Sequence, residues 1–245
     1  MSASPEVRAE YLSYLEIENR LSQASIVYIP LGAFEFHGPH LPTGLDGLTA
    51  HGVCAHAAAR TGGVVLPTIY QATGGEHSSY PWTLMIPDGE ALASNLLSIL
   101  NRLEELSVKK AVVLTGHFAT EQVELLRRIA EIWAQDGEKK LKFTALSMDE
   151  NTHAPVSPDH AGVFESLLLS ALHPNLVRIE KLPTIDEFPS DDPAGNAFGR
   201  HRHDSSHVLW GIFGPDPRSL NLNDAPALLN SMIDWLVDIT LSESR

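Results

Sequence analysis

The sequence predicts an α/β fold, a three-layer α/β/α sandwich with a mainly parallel central sheet, and three observations lead there. Four short runs rich in β-branched residues read as strands: SIVYIPLGA (25 to 33), GVVLPTIY (63 to 70), KAVVLTG (110 to 116) and KFTALSM (142 to 148). Between them lie stretches whose apolar residues recur every three or four positions, the period of a helix with one buried face. The strands are close to continuously apolar and do not alternate, so both of their faces need a covering layer of helices.

Taken in order, the helical patterns fall at 6 to 22, 48 to 60, 89 to 106, 120 to 136, 161 to 173 and 224 to 242. The polar stretch PTIDEFPSDDPAGNAFGRHRHDSSH (183 to 207) fits neither period and reads as an excursion that covers a site or a subunit contact. No repeat or linker divides the chain, and 245 residues with 43% hydrophobic composition suffice for one core, so a single domain over 1 to 245 is expected.

Charge and composition narrow the function. Seventeen basic against thirty-one acidic residues give a net charge of -14, which repels nucleic acid and anionic membranes. The single Cys54 excludes an internal disulfide, and its apolar surroundings in GVCAHAAA favour packing over nucleophilic use. The opening residues lack the basic start and apolar core of a signal peptide, and no apolar run reaches membrane-spanning length, so a soluble cytoplasmic protein is expected. No G-x-S-x-G elbow marks a serine hydrolase, and no G-x-G-x-x-G follows a strand.

Polar chemistry collects after each strand: EFHGPHLPTGLDG, QATGGEHSSYPWT, GHFATE and DENTHAPVSPDHAGVFE. In open α/β sheets ligands bind at these carboxyl ends, where loops converge and helix N-termini point. In the first loop Glu35 and His37 are two apart, so extended backbone turns both to one face. Gly38, Pro39 and Pro42 stiffen the turn that returns Asp46, whose two oxygens can bridge two cations; a loop of ordinary polar residues is the alternative. His117 stands at a strand end, as a metal ligand or as a cap of the next helix. Glu121 and Glu124 read as acids at a helix start, with a structural role. In SPDHAGVFE, Ser157 reads as an N-cap and Pro158 as the first helical residue. His160 and Glu165 then serve one site only if His160 lies on the entering loop.

Together, PLGAFEFHGPHLPTGLDG, GEHSSYPWT, LTGH and DHAGVFE, in this order, resemble the creatininase family of metal-dependent amidohydrolases, and GIFGPDPRSL resembles its late glycine-proline turn. The resemblance implies two divalent ions, zinc or manganese. Glu35, Asp46 and His117 would hold one ion and His37, Asp46 and Glu165 the other, with His160 as the catalytic histidine. It also implies a homo-oligomer, usually a hexamer. Two divalent cations outweigh three carboxylates, so the site could hold a bridging hydroxide to attack a carbonyl while an imidazole protonates the leaving nitrogen. Glu76, His77, Trp82 and Phe118 are expected to line the substrate pocket.

This sequence departs from the creatinine-hydrolysing members at Ala119, where they carry a glutamate ligand, and from the family's common form at Phe118 to Thr120 in place of G-G-N and at Trp82 in place of Gly. Val156 stands where they have a covering aromatic. The expected activity is therefore hydrolysis of a non-peptide C–N bond in a small molecule, a cyclic amide or a formamide. The alternatives are ring opening of a cyclic ketone or lactone derived from a polyol, and a metal-binding scaffold without catalysis. His201, His203, Asp204 and His207 could form a second metal site or a solvent-facing loop, and the loop is preferred because the segment lacks a helical pattern.

Overall fold

The computed structural model describes residues 6 to 190, 192, 193 and 204 to 242, apart from the side chains of Glu76 and His77. The sandwich is as expected. A parallel sheet is formed by β1 (Ile26–Gly32), β2 (Val64–Val65), β3 (Ile69–Tyr70), β4 (Lys110–Thr115) and β5 (Lys142–Ser147). The order is β2, β1, β4, β5, with β3 pairing the far end of β1 beyond β2.

The two faces of each strand go to different cores. From β1, Ile26 and Tyr28 join Val112, Leu114 and the buried faces of α2 (Leu45–Thr61), α5 (Val163–Leu172) and α6 (Ala225–Ser242). Val27, Ile29 and Leu31 join Ala111, Val113 and the stripes of α3 (Glu90–Glu105) and α4 (Thr120–Gln135). Burial on both sides is why these strands read as unbroken apolar runs. A third cluster, including Leu41, Leu45, Ala161, Leu169, Leu209 and Ile212, packs beneath the loops at one end.

Four expected boundaries differ. The run 63 to 70 is two short strands, because the ladder to β1 breaks between the pairs Tyr28↔Val65 and Leu31↔Ile69 and one extra residue is inserted there. The break falls beside Pro30 and Pro67, neither of which has an amide hydrogen to give. The helix expected over 6 to 22 is a 3₁₀ turn at Ala9–Tyr11 followed by α1 (Tyr14–Gln23). Ser13 caps α1 in a reciprocal capping box with Glu16, which starts the helix anew. α2 begins three residues early, at Leu45, so Asp46 lies in its first turn. α5 begins at Val163, and Ser157 does not cap it. Asp159 does so instead, accepting from the amides of Gly162, Phe164 and Glu165 at 3.2, 2.8 and 3.3 Å.

Of the polar excursion, His201 and His203, candidates for a second metal site, lie outside the described residues. The late turn anchors part of the rest. Arg218, buried in a bidentate pair with Asp216, donates to the carbonyls of Pro183 and Phe188 at 3.0 and 2.9 Å. No helix among the described residues is long and apolar enough to cross a membrane.

Candidate metal centre

Strand ends, glycines and one helix start bring the predicted ligands together. β1 runs out into Glu35 and His37, and β4 into His117. The first turn of α2 sits directly on both strand ends. A Cβ on Gly32 would lie 2.7 Å from Asp46 Cβ, and one on Gly116 would lie 2.2 Å from the Asp46 carbonyl oxygen. Only glycine at these positions lets Asp46 come so close to the sheet. The Ala33 amide then donates to Asp46 Oδ2 at 3.1 Å, fixing the carboxylate.

The turn bearing His117 is held from below. Thr115 Oγ1 donates to the His117 carbonyl at 2.7 Å and accepts from the fully buried Gln122 at 2.8 Å, and Gln122 also accepts from the Thr73 amide at 3.0 Å. His40 Nε2 donates to the Ala161 carbonyl at 3.0 Å, tying the first loop to the one that carries His160. His40 thus supports the turn, as its sequence position suggests.

His160 lies ahead of α5 on the entering loop, the placement needed for it and Glu165 to share a site. Its backbone pairs with Phe213 in both directions, at 3.0 and 2.8 Å. Its Nε2 donates to the Phe36 carbonyl at 3.0 Å. The ring stacks between those of His37 and Phe213, at centroid distances of 4.4 and 5.4 Å. Ala161, just after it, takes a left-handed φ of 55°, which turns the chain into α5. Glu165 accepts from the Ala161 amide at 2.6 Å.

Six side chains, Glu35, His37, Asp46, His117, His160 and Glu165, are all buried here. Two triads have donor atoms mutually within 4.8 Å: Glu35, Asp46 and His117, and His37, Asp46 and Glu165. Asp46 belongs to both. His117 Nδ1 is 2.7 Å from Glu35 Oε1 and 3.5 Å from Asp46 Oδ2, while His37 Nε2 is 3.1 Å from Asp46 Oδ1 and 3.4 Å from Glu165 Oε2. Glu35, His37 and His160 form a third such group.

The electrostatics call for cations. His37 Nε2 and Asp46 Oδ1 are buried and close, yet neither makes a properly directed hydrogen bond. Burial pulls the His37 imidazole down, but the carboxylates of Glu165, Asp46 and Glu35 reverse this and lift it to about 10. His117 is lifted to about 10 in the same way, against burial, by Glu35 and Asp46. Burial drives Glu165 well above the usual carboxylate range, with help from Asp46 and against the pull of His37. Protein alone thus accommodates three buried carboxyl groups by protonating two imidazoles and pushing Glu165 toward its neutral form. Divalent ions are the better counter-charge for such a set, and mixed imidazole and carboxylate donors suit zinc or manganese. The Nδ1 of His37, 3.0 Å from the Glu35 carbonyl, has the backbone partner that orients a metal-binding histidine.

Above the donors lies a cavity of about 390 Å³, with Glu35, His117, His160 and Glu165 in its floor and Phe118, Ala119, Glu121 and Phe213 in its walls. Phe118, expected to line the substrate pocket, borders this cavity. Trp82 does not: it is 78% exposed at a left-handed φ of 58°, and this cavity's wall does not include it. Gly75 borders the cavity and leads into the 3₁₀ turn Glu76–Ser79, so the backbone of Glu76 and His77 runs nearby, their side chains lying outside the described residues. Glu121, expected to be structural, faces the cavity; Glu124 does not. Val156 packs against the α2, α5 and α6 core. Among the described residues no metal-capable group includes Asp204 or His207. Cys54 is buried, and burial pushes its thiol up, as packing implies.

Sequence reading missed an aromatic cluster of Phe36, Tyr80 and Trp210, with centroids 4.6 to 5.5 Å apart, which locks the second loop onto the first. The Phe36 amide donates to Thr83 Oγ1 at 2.9 Å, and Phe34 bridges Leu84. The signal available was the interleaving of Phe34 and Phe36 with Ala33, Glu35 and His37, which leaves one face for ligands and one for packing.

Comparison with known proteins gives the family and the fold. A family model described as creatininase, creatinine amidohydrolase, matches residues 10–240. A creatinine amidohydrolase of Pseudomonas putida is 28% identical over 215 residues, covering 74% of this chain and 80% of that protein. A 3-dehydro-scyllo-inosose hydrolase of Thermotoga maritima is 32% identical over 103 residues, covering 42% of this chain and 33% of that protein. The crystal structure of a creatininase superposes with a TM-score of 0.78 at 22% identity, covering 98% of each chain. Related structures described as a mutant creatininase of Zn-Zn type and as creatininase Mn each superpose at 0.77 with 21% identity, covering 98% of this chain and 99% of theirs. With a family model spanning nearly its whole length and the fold to match, this chain belongs to the creatininase family of amidohydrolases.

Proposed function

We propose that this protein hydrolyses a non-peptide C–N bond of a small molecule, a cyclic amide or a formamide, with two divalent ions, zinc or manganese, as cofactors. The observation that carries the reading is the pair of buried donor triads sharing Asp46, with His160 beside them in the cavity floor. Glu35, Asp46 and His117 would hold one ion and His37, Asp46 and Glu165 the other. Such ions supply Lewis acidity and water ionised near neutral pH.

The chain's own residues do the rest. His160, its ring fixed by the Phe36 carbonyl and by stacking, carries the proton that the leaving nitrogen needs. Phe118 and Phe213 pack on the apolar part of the substrate and thin the water around the reacting bond. Glu76 and His77 contribute from the adjoining turn. Ala119 places no carboxylate in the wall where creatinine-hydrolysing relatives carry one, which argues for a substrate other than creatinine.

A second reading is ring opening of a polyol-derived cyclic ketone or lactone, supported by the similarity to the inosose hydrolase. A scaffold that only stores metal has no use for an imidazole placed like that of His160. The reading extends to a cytoplasmic homo-oligomer, a hexamer by family resemblance, and the exposed Tyr11, Tyr14 and Leu15 supply apolar surface for contact.

The test is metal analysis of the purified protein followed by turnover of cyclic amides, formamides, cyclic ketones and lactones with and without chelator. Two metal equivalents and chelator-sensitive hydrolysis of a C–N bond are expected. Turnover of ketones or lactones alone would move the assignment to the second reading, and tight metal without any turnover would end both.

A further inference from the structure

We propose that Glu121 sets specificity: it selects substrates that carry a cationic amine or amidine group away from the bond to be cut. The proposal deepens the hydrolase reading and rests on it for the position of that bond. Glu121 stands in the first turn of α4 and borders the cavity that Glu35, His117, His160 and Glu165 also line. No lysine or arginine lines the cavity among the described residues. With the donor carboxylates matched by the ions, an anionic substrate would still meet the Glu121 carboxylate with no cationic side chain in this cavity's lining to offset it.

The carboxylate is held in place. Its Oε2 accepts from the Gly75 amide at 3.2 Å. Gly74, at φ 80°, presses against it so closely that a Cβ there would lie 2.4 Å from Oε2. Any residue but glycine is thus excluded from position 74 by both conformation and space, and the loop grips the Glu121 side chain. The second oxygen, Oε1, has no partner among the described residues. An exposed glutamate has no need of such a grip merely to face solvent.

Phe118 and Phe213 line the same cavity as Glu121 and the donor residues. A fitting ligand then has a carbonyl at the floor, a short apolar middle and a donor-bearing cation at the rim. A second cavity of about 450 Å³ also borders Glu121; its lining carries Asp88 and Glu124 against the single cation Arg128, which itself lies 3.6 Å from Glu90.

The experiment compares binding of an isosteric pair, N-formyl-1,3-diaminopropane and N-formylbutylamine, to the metal-loaded protein by calorimetry, with hydrolysis scored separately. A matched pair of lactams, one carrying an aminoethyl and one a propyl substituent, repeats the comparison on the cyclic class. The ammonium member is expected to bind about three- to tenfold more tightly, the range for a charge-assisted contact that solvent partly screens. Glu121→Gln should bring this ratio close to one and Glu121→Lys should invert it. Glu131→Gln, the same charge change on an exposed part of α4, should leave the ratio intact and so exclude a general field effect. Where hydrolysis occurs, the Glu121→Gln loss should appear in KM and not in kcat. Equal affinity of both members, absence of binding by either, or a ratio that survives Glu121→Gln overturns the proposal. Selective binding without hydrolysis would sink the hydrolase reading and leave this one standing; hydrolysis without selectivity would do the reverse.

Discussion

Glu35 and His117, 82 residues apart in sequence, meet at 2.7 Å between Oε1 and Nδ1, because β1 and β4 are adjacent parallel strands that end side by side. Asp46 completes this triad and, through its other oxygen, the triad of His37 and Glu165. The two triads are unequal in what each depends on, and that gives a stoichiometric prediction. Asp46→Asn is expected to lower bound metal from two equivalents to less than one, since it weakens both sites. Glu165→Gln is expected to leave the site of Glu35 and His117 filled, retaining about one equivalent. Both should cost more activity than the ~10- to 100-fold typical of losing a supporting residue. Elemental analysis after gel filtration distinguishes the variants, and equal metal loss in both would count against a shared Asp46.

His160 has a different kind of task. It stacks on His37 and lines the cavity floor, but neither donor triad that includes Asp46 contains it. His160→Gln is expected to keep two metals and to lower kcat by about 10²- to 10⁴-fold, the usual range for a lost proton donor. The deficit should shrink for substrates whose leaving group needs no protonation. Loss of metal with loss of activity would instead make His160 a ligand, as the group formed with Glu35 and His37 allows.

Gly116 tests how the centre is built. A methyl group there would sit 2.2 Å from the Asp46 carbonyl oxygen, which is helix backbone and cannot swing away. Gly116→Ala is expected to push α2 off the strand ends and cost about 1–3 kcal/mol of stability, the range for overpacking a tight contact. Metal affinity should fall with it although no ligand is altered. Denaturant unfolding and a metal titration check the two effects together. Gly137→Ala is the control, since nothing lies within 4 Å of a Cβ at that exposed position.

The same contacts show which parts of the molecule were legible in sequence. Strand positions and helix stripes were, because β1 and β4 are buried on both faces and their composition records it. So was the gathering of candidate ligands, because Glu35, His37 and Asp46 crowd one stiffened turn and lie together in the structure. Capping was partly legible: the pattern Ser13, Glu16 marks a helix start inside the run that hydrophobic spacing alone joins into one. What could not be read were contacts between segments far apart in the chain. Glu121 looks like any acid at a helix start until Gly74 and Gly75 are seen closing on it. Trp82 sits among motif residues, but its left-handed backbone sends it to solvent. Gln122 gives no hint in sequence that it bridges Thr115 and Thr73.

His40 predicts a pH dependence. It is fully buried, and burial lowers its pKa to about 4 from an ordinary value near 6.5. Between these values the unfolded chain takes up a proton that the folded chain refuses. Folding free energy from this group is therefore fully present above about pH 6.5 and is lost progressively as pH falls toward 4, by about 3 kcal/mol over the whole window. His40→Gln keeps a donor for the Ala161 carbonyl but cannot titrate. The stability difference between wild type and this variant should accordingly change by that amount between pH 7 and 4, measured by urea unfolding. A difference that stays flat across the range would mean that His40 is hydrated in solution.

Metal removal should destabilise the fold as well as silence it. Without ions, the buried centre is held only by protonating His37 and His117 and by pushing the Glu165 carboxyl toward its neutral form, states that bound cations make unnecessary. Binding that favours the folded state adds about 2.7 kcal/mol per site when free metal is a hundred times its Kd. For a chain of 245 residues, each kcal/mol corresponds to about 2–4 °C in Tm. Chelator is thus expected to lower Tm by about 5–10 °C for each emptied site, and restored zinc or manganese should recover it. Because imidazoles that carry the counter-charge must lose their protons to bind metal, the chelator-induced drop should widen as pH rises from 6 to 8. Scanning calorimetry at several pH values measures this, and a Tm that ignores both chelator and pH would show that the six buried side chains close on one another without needing cations.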